Sequence, residues 1–442
     1  MPTRLLSLLL LVAATVLAQT PSGPVVPRAA QPSPRFDARA ATNAWLETVP
    51  PAERARSNAY FEGGCWLIFW NYLYSAGILF LFLHWRLSAR LRNLAVRLIR
   101  RQWLQSFWYS IALFTAVGAL MLPLTVYEGF FREHAYGLLN QSFPAWLRDA
   151  SLAFGIAAVA SSLLIATLLA FVACFPRGWV PFAALITISF LVVSVLVAPV
   201  YIAPLFNTYR PLPNSPLKNA ILSLARANGI SGTQVYVMDE SRQSKRVSAN
   251  VSGLFGTERI TLNDNLLRRC SPQGVLSTMG HEMGHYVLHH IYSGVFFFSV
   301  IIAVVFPALR WIADRALRLW GPRWQIASVG DPAALPLLLL ILSTFSFFGT
   351  PLINSYTRAQ EYEADIFGLN AARQPDGEAE VDLLLGEYRK LDPTPIEEFF
   401  FFDHPSGRTR IYAAMRWKAE NLCRFDKSLR CAHSTDERLH RH

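Results

Sequence analysis

Over 442 residues the hydrophobic fraction is 52% and only 16% of residues are charged, with a mean hydropathy of +0.27. These values exclude an ordinary water-soluble globular protein and point to a chain that lives in a lipid bilayer. The net charge of +11 comes with no nucleic-acid-binding motif, so no nucleic acid is expected as a partner, and the placement of the arginines explains the charge better.

Met1 to Gln19 has one early arginine, Arg4, an apolar run from Leu5 to Leu17, and small or apolar Val16 and Ala18 near its end. That is the pattern of a secretory signal peptide; the run is short for a span, and an uncleaved N-terminal anchor is the alternative. Residues 20–59 are rich in Pro, Ala and Arg without a sustained period, and are expected as a linker ending in a short helix. Six longer apolar stretches follow near 60–85, 107–129, 150–174, 178–203, 292–312 and 333–353, each able to cross a bilayer at about 20 residues. Buried helices of a large soluble core would be the competing reading, and six such runs argue against it. Trp66, Trp85, Trp108 and Trp311 lie near their ends, as interfacial anchors do. The expected layout is four transmembrane helices in 60–203 and two in 292–353. Between and after them lie two extramembrane pieces, 204–291 and 354–432, and a polar tail, 433–442.

The links between spans carry the charge. Arg86, Arg90, Arg92, Arg97, Arg100 and Arg101 follow the first span, interleaved with Leu87, Leu91, Leu94 and Leu98 at helical spacing. Arg177 sits in the 175–177 link, and Arg315, Arg318 and Arg323 separate the last two spans. Excess Lys and Arg in short links marks the cytoplasmic side. Both extramembrane pieces then face the extracytoplasmic side, which for a bacterial inner membrane agrees with an exported N-terminus. Of the five cysteines, Cys65, Cys174 and Cys270 read as packing residues, while Cys423 and Cys431 would pair in an oxidising compartment.

In the first piece Ser215-Pro216 opens a helix with Leu217, Ile221 and Leu224 on one face and Gly229 closing it. Strand-like stretches follow at Val235–Met238, Arg246–Ser252 and Arg259–Leu262. A strand beside a metal helix can offer its edge to an extended peptide, or serve only as support. Ser271-Pro272 starts the next helix as N-cap and first-turn residue, and this helix carries His281-Glu282-Met283-Gly284-His285. Positions four apart are rotated by only about 40° on a helix, so His281 and His285 share a face and can share a zinc ion. In a catalytic zinc site a position stays open for water that a nearby carboxylate, here Glu282, can deprotonate. The longer H-E-x-x-H-x-x-G-x-x-H pattern fails because Leu288 and Ile291 occupy its last two positions, and His289 and His290 are off register. A carboxylate is the remaining common third ligand. In the second piece Glu361 and Asp365 are again four apart, so one can ligate while the other hydrogen-bonds a ligand histidine. A solvated acidic face is the bland alternative. A helical stretch near 378–391, Asp403-His404-Pro405-Ser406 and a helix containing Ile411, Met415 and Trp417 complete the piece.

Six motifs occur in order: Ile202-Ala-Pro-Leu-Phe-Asn207, Val235-Tyr-Val-Met-Asp239, Ile260-Thr-Leu-Asn-Asp264-Asn-Leu-Leu267, His281-Glu-Met-Gly-His285, Glu361-Tyr-Glu-Ala-Asp365 and His404-Pro405. Together they resemble the type I CAAX prenyl protease family, integral-membrane zinc peptidases related to the HtpX-type quality-control proteases, and the likeness covers roughly residues 200–415. The resemblance implies a mainly α, polytopic membrane protein: a helical barrel around a chamber, closed by a gluzincin-type α+β zinc peptidase domain. It implies one zinc on His281, His285 and Glu361, and a role for His404 in stabilising the tetrahedral intermediate. It places Ser248, Ala249 and Asn250 on the substrate-binding edge strand, where the family carries Asn-Ala at the positions of Ser248-Ala249. The family has seven spans and a cytosolic catalytic domain; the count here is six plus a signal peptide, and the charge pattern puts the domain outside.

The expected mechanism has Glu282 take a proton from water and hand it to the leaving amine, Asp365 orient a ligand histidine, and Arg358 hold the carboxylates or form a structural ion pair. The substrate is a peptide or protein, lipidated or membrane-embedded. A CAAX-type endopeptidase and a quality-control protease are the two proteolytic readings, and a non-proteolytic membrane protein with a structural zinc is the third. The intact Glu282 argues against the last.

Overall fold

The computed structural model describes residues 23–252 and 259–426; the expected signal peptide, the polar tail and Cys431 lie outside them. Residues 23–59, the described part of the expected 20–59 linker, differ from it. Asp37 caps a helix, α1 (Ala38–Glu47), by accepting from the Arg39 amide at 2.8 Å. Ala41, Trp45 and Leu46 of α1 are buried against Ile411, Ala414, Met415 and Trp417. The i, i+4 pair that drives this burial was hidden in an alanine-rich stretch, where an alanine supplies half of the apolar face.

Pro50-Pro51 then starts α2 (Pro51–His84), followed by the amphipathic α3 (Leu87–Leu98), α4 (Gln102–Ala135), α5 (Phe143–Cys174) and α6 (Trp179–Leu205). In α3, Leu87 and Leu91 pack on Ile78, Phe82 and Leu113, whereas Leu94 and Leu98 are exposed. After the membrane helices come β1 (Tyr209–Pro211), α7 (Pro216–Ala227), β2 (Val235–Met238), β3 (Ala249–Ser252) and β4 (Arg259–Asn263). Next are α8 (Asp264–Arg269) and α9 (Pro272–Val287), then α10 (His290–Trp324) and α11 (Leu335–Ala372). The chain ends with α12 (Pro375–Leu385), α13 (Pro395–Phe401) and α14 (Gly407–Glu420).

Six helices are long and apolar enough to cross a membrane, and all overrun the hydropathic stretches, because hydropathy marks only the lipid-facing part of a helix whose backbone bonds continue beyond it. The largest overrun is α11. Its 38 residues span about 57 Å at 1.5 Å per residue, so the last predicted span and the separately predicted acidic helix are one rod. In the order α2, α4, α5, α6, α10, α11 each of these helices packs on the next, and α11 packs back on α2. This closed ring surrounds an apolar cavity of about 790 Å³ lined by residues such as Leu168, Val305, Leu342 and Ile353.

The three basic links meet at one end of the ring. Arg86 Nε donates to the Arg323 carbonyl at 2.8 Å, Arg92 pairs with Asp331, and Arg310 Nη1 donates to the Arg177 carbonyl at 2.7 Å.

The sheet has the order β1-β2-β4-β3, with β2 parallel to β4 and the outer strands antiparallel to their neighbours. Central β4 is buried from Ile260 to Asn263, and Ile260 and Leu262 share a core with Ile221 and Ala225 of α7 and Val275, Met279 and Met283 of α9. Strand β3 starts later than the predicted Arg246–Ser252, because the Arg246 carbonyl is taken by the side-chain amides of Asn263 and Asn265 at 2.8 and 2.9 Å. β3 is left as an edge beside α9. β1 was not foreseen, being three residues long with a proline at its end.

Candidate metal centre

Ser271 caps α9 by accepting from the Gly274 amide at 3.1 Å, with Pro272 in the first turn. One face of α9 presents Gly280 and Gly284, and α11 answers with Ala364 and Gly368. A Cβ on Gly368 would lie 2.8 Å from the His281 amide nitrogen, and one on Gly284 would lie 3.2 Å from the Ala364 Cα. The two backbones therefore touch along a stripe of small residues. His281 and His285 follow the glycines by one position, Glu361 precedes Ala364 by three, and the close approach brings their side chains together.

His281 Nε2 and His285 Nε2 stand 3.0 Å apart. Glu361 Oε2 is 3.2 Å from His281 Nε2, and Oε1 is 3.5 Å from His285 Nε2. One ligand atom from each of the three residues fits within 4.8 Å of the others. Donors about 2.0–2.2 Å from a tetrahedral metal are separated by about 3.3–3.6 Å, close to this spacing. Among the described residues Glu361 Oε2 is buried without a hydrogen-bond partner, an orphaned acceptor beside the His281 imidazole. The donor set fits a divalent metal.

The outer partners of the histidines are ordered as well. His281 Nδ1 bonds Asp365 Oδ1 at 2.8 Å. Asp365 in turn accepts from Arg410 Nε at 2.9 Å and Nη2 at 2.6 Å, and the same guanidinium reaches Glu378 Oε1 at 3.1 Å and Asp382 Oδ1 at 3.0 Å. His285 Nδ1 bonds His290 Nδ1 at 2.8 Å, and His290 Nε2 lies 3.3 Å from Glu363 Oε2. With Nε2 of each ligand histidine turned to the metal, Nδ1 carries the proton and donates outward. Glu282 follows His281 on α9; its burial pushes the carboxyl above the usual range, against the pull of His281 and His285.

His404 comes from the loop before α14. Its Nε2 lies 3.3 Å from Glu361 Oε2, and its Nδ1 bonds Asp403 Oδ1 at 2.8 Å. Ser248, at the start of the edge strand, lines the same cavity as His404, while Ala249 and Asn250 pair with Leu262 and Thr261 of β4. Arg358 is a correction. Its guanidinium meets no carboxylate of the cluster and instead donates to the carbonyls of Glu398, at 2.7 Å, and Phe402, tying down the end of α13. The guanidinium that holds the carboxylates is Arg410, which sequence reasoning missed; its signal is an arginine on the i, i+4, i+7 stripe of Ala414 and Trp417, where a core residue belongs. His290 was missed for another reason. A continuous helix puts His290 off the ligand face, whereas α9 stops at Val287 and His289 turns left-handed with φ of 60°, swinging His290 back onto His285.

The geometry is that of an integral-membrane metalloprotease: a ring of apolar helices, one of which, α11, runs on to bring Glu361 to His281 and His285 of α9, with Glu282 beside them. Family models agree over adjoining parts of the chain, the first described as CAAX prenyl protease N-terminal, five membrane helices, over residues 39–208. The second is peptidase family M48, over residues 211–418. The chain belongs to the M48 family of CAAX prenyl protease-type metalloproteases. It is 28% identical to Uncharacterized metalloprotease YhfN of Bacillus subtilis, across 83% of this chain and 86% of that one. With CAAX prenyl protease 1 of Saccharomyces cerevisiae it shares 24% identity, across 74% and 77%. The crystal structure of S. mikatae Ste24p superposes with a TM-score of 0.70 at 20% identity, covering 85% of this chain and 93% of that one, a likeness of fold. Against the five membrane helices in the family description, the described part of that region holds four candidate spans and the amphipathic α3.

Proposed function

We propose that the metal is zinc, held by His281, His285 and Glu361, and that the chain hydrolyses peptide bonds laid along the β3 edge. The observation that carries this reading is the Glu361 carboxylate, set with Oε2 3.2 Å from His281 Nε2 and Oε1 3.5 Å from His285 Nε2, its Oε2 buried and unbonded among the described residues. When bound, zinc supplies a Lewis acid that polarises the scissile carbonyl and makes a water acidic near neutral pH. Glu282, with its carboxyl pushed upward by burial, takes that water's proton and passes it to the leaving nitrogen. His404 donates from Nε2 to the oxygen on which charge develops, oriented by Asp403 at its Nδ1. Asp365 fixes the tautomer of His281, and His290 does the same for His285.

Backbone hydrogen bonds from Ala249 and Asn250 would align the peptide. Ser248 replaces the longer amide side chain of the prenyl proteases and relaxes selection there. The layout is a signal peptide or anchor at 1–19, a membrane ring at 60–203 and 292–353, and a peptidase domain split between 204–291 and 354–432. The meeting of the three basic links at one end of the ring supports an extracytoplasmic peptidase in a bacterial inner membrane. The substrate is then a prenylated C-terminal peptide, as the name of the yeast relative says of that protein, or in the second reading a misfolded or exported membrane protein, which extracytoplasmic placement favours.

Mass-spectrometric mapping of products from a farnesylated CAAX peptide and its unlipidated twin tests this, with Glu282→Gln as blank. Cutting of the lipidated peptide alone supports the prenyl protease reading, and equal cutting of both supports the quality-control one. Absence of Glu282-dependent cutting of any substrate would overturn the peptidase reading.

A further inference from the structure

The short helix α13 (Pro395–Phe401) is amphipathic the wrong way round for a helix on a water-soluble domain. Its charged residues are held by the protein. Glu397 accepts from Lys390 Nζ at 2.8 Å and closes a capping box with Thr394, and Glu398 accepts from the Ser406 amide at 3.0 Å. Ile396, Phe399 and Phe400 stand at i, i+3 and i+4 and so share one face, and they are 72%, 50% and 45% exposed. A helix in water shows the opposite pattern, with its apolar stripe against the core and its charges outside.

What faces the stripe follows from the level at which α13 is held. Asn354 Nδ2 donates to the Phe400 carbonyl at 2.8 Å and Arg358 Nη1 to that of Glu398 at 2.7 Å, which fixes α13 to α11 just past the apolar stretch 333–353. On its other side the Phe402 ring packs on Phe61 of α2 at 4.5 Å between centroids, where the apolar stretch 60–85 begins. The helix therefore bridges two membrane helices at the level where their apolar bands end. Its stripe continues the exposed apolar surface that Trp66 of α2 and Phe348 of α11 present just inside those ends.

We propose that α13 is an interfacial foot: Ile396, Phe399 and Phe400 dip into the leaflet nearest the metal centre, and the partner of this face is the lipid bilayer. An amphipathic helix with aromatic residues on its apolar side rests at the boundary between headgroups and acyl chains, whereas the same patch left in water would be a liability for association. The foot bears on the site as well. Phe402 is buried and His404 follows it by two residues, so the depth of α13 in the leaflet sets the height of His404 beside Glu361. The lipid-facing role goes beyond the peptidase reading above and does not depend on it.

The test places a spin label at Ile396→Cys or Phe400→Cys in the full-length chain, with the free thiols Cys65, Cys174 and Cys270 changed to Ala, in nanodiscs of phosphatidylethanolamine and phosphatidylglycerol. Oxygen, which concentrates among acyl chains, and a water-soluble nickel chelate are compared as relaxing agents for each label. Both labels should show an oxygen-to-nickel ratio several-fold above that of a label at Arg416→Cys, an exposed position on α14. Removing the stripe with Phe399→Ser/Phe400→Ser should shift the Ile396→Cys label toward nickel with little change in melting temperature, because the groups that hold α13 to α11 and Lys390 are untouched. A nickel preference at either site, the signature of a face turned to water or to a wet ring interior, would overturn the proposal. So would labels shielded from both agents, which would mean a protein partner, or an oxygen preference at Ile396→Cys that survives the double variant. The readout needs no catalysis, so it stands or falls apart from the peptidase reading.

Discussion

Asp365 carries two kinds of bond at once, one to the ring of His281 and two from Arg410. Removing Arg410 leaves Asp365, Glu378 and Asp382 buried without their cation, and breaking such a pair costs about 3–5 kcal/mol. Arg410→Gln is expected to lower thermal stability by that order and weaken metal retention, while Arg358→Gln loosens only the end of α13 and leaves metal content unchanged; melting curves and metal analysis of the two variants check this. Asp382 gives a pH signature. Burial holds its carboxyl well above the usual range, helped by the neighbouring carboxylates of Glu378 and Asp365, despite the Arg410 guanidinium at 3.0 Å. The folded state thus keeps a proton that the unfolded chain releases near pH 4. This side chain's contribution is fullest below about pH 4 and is lost as the pH rises toward the raised folded value. Asp382→Asn should therefore gain stability over the wild type progressively between pH 5 and 8 in detergent melts; a gap that narrows with pH would contradict the argument. His290→Ala removes the acceptor at His285 Nδ1, and a chelator titration should show zinc affinity lower by about 10–100-fold. Glu363→Gln should do less, since its side chain is 65% exposed.

At the scale of elements, the centre depends on how closely α9 and α11 pack. Gly368→Ala places a methyl 2.8 Å from the His281 amide nitrogen, and overpacking of that kind costs about 1–3 kcal/mol. It should also part the ligand pair, so that zinc stoichiometry falls more than melting temperature does; unchanged zinc would mean that the helices can slide apart without moving their ligands. The spacing of His281, His285, Glu361 and Asp365 was legible in the sequence because each pair stands four residues apart on one helix, a local rule. So were β2, α7 with its Ser215 cap and Gly229 terminus, and the six apolar helices. What faces what across helices was not legible. The small-residue stripe gave no signal of its partner, the fusion of span and ligand helix in α11 crosses a change of polarity, and Arg358 and Arg410 differ only in which tertiary neighbours they meet.

For the whole molecule, the ring of helices sets the two ends apart. Three basic links gather at one end through Arg86, Arg92 and Arg310, and the ligand-bearing segments of α9 and α11 lie beyond the apolar stretches. A periplasmic-only reporter fused after His442 should be active, and a cytoplasmic-only reporter silent; the reverse would overturn the orientation. The central claim is that two helices from separate parts of the chain complete one zinc centre over the bilayer. The most direct measurement is zinc stoichiometry in detergent-purified wild type, Glu282→Gln and Glu361→Ala by plasma mass spectrometry. The account predicts about one zinc per chain in the first two and loss of it in the third; full zinc in Glu361→Ala would contradict it, because the third ligand would then lie elsewhere.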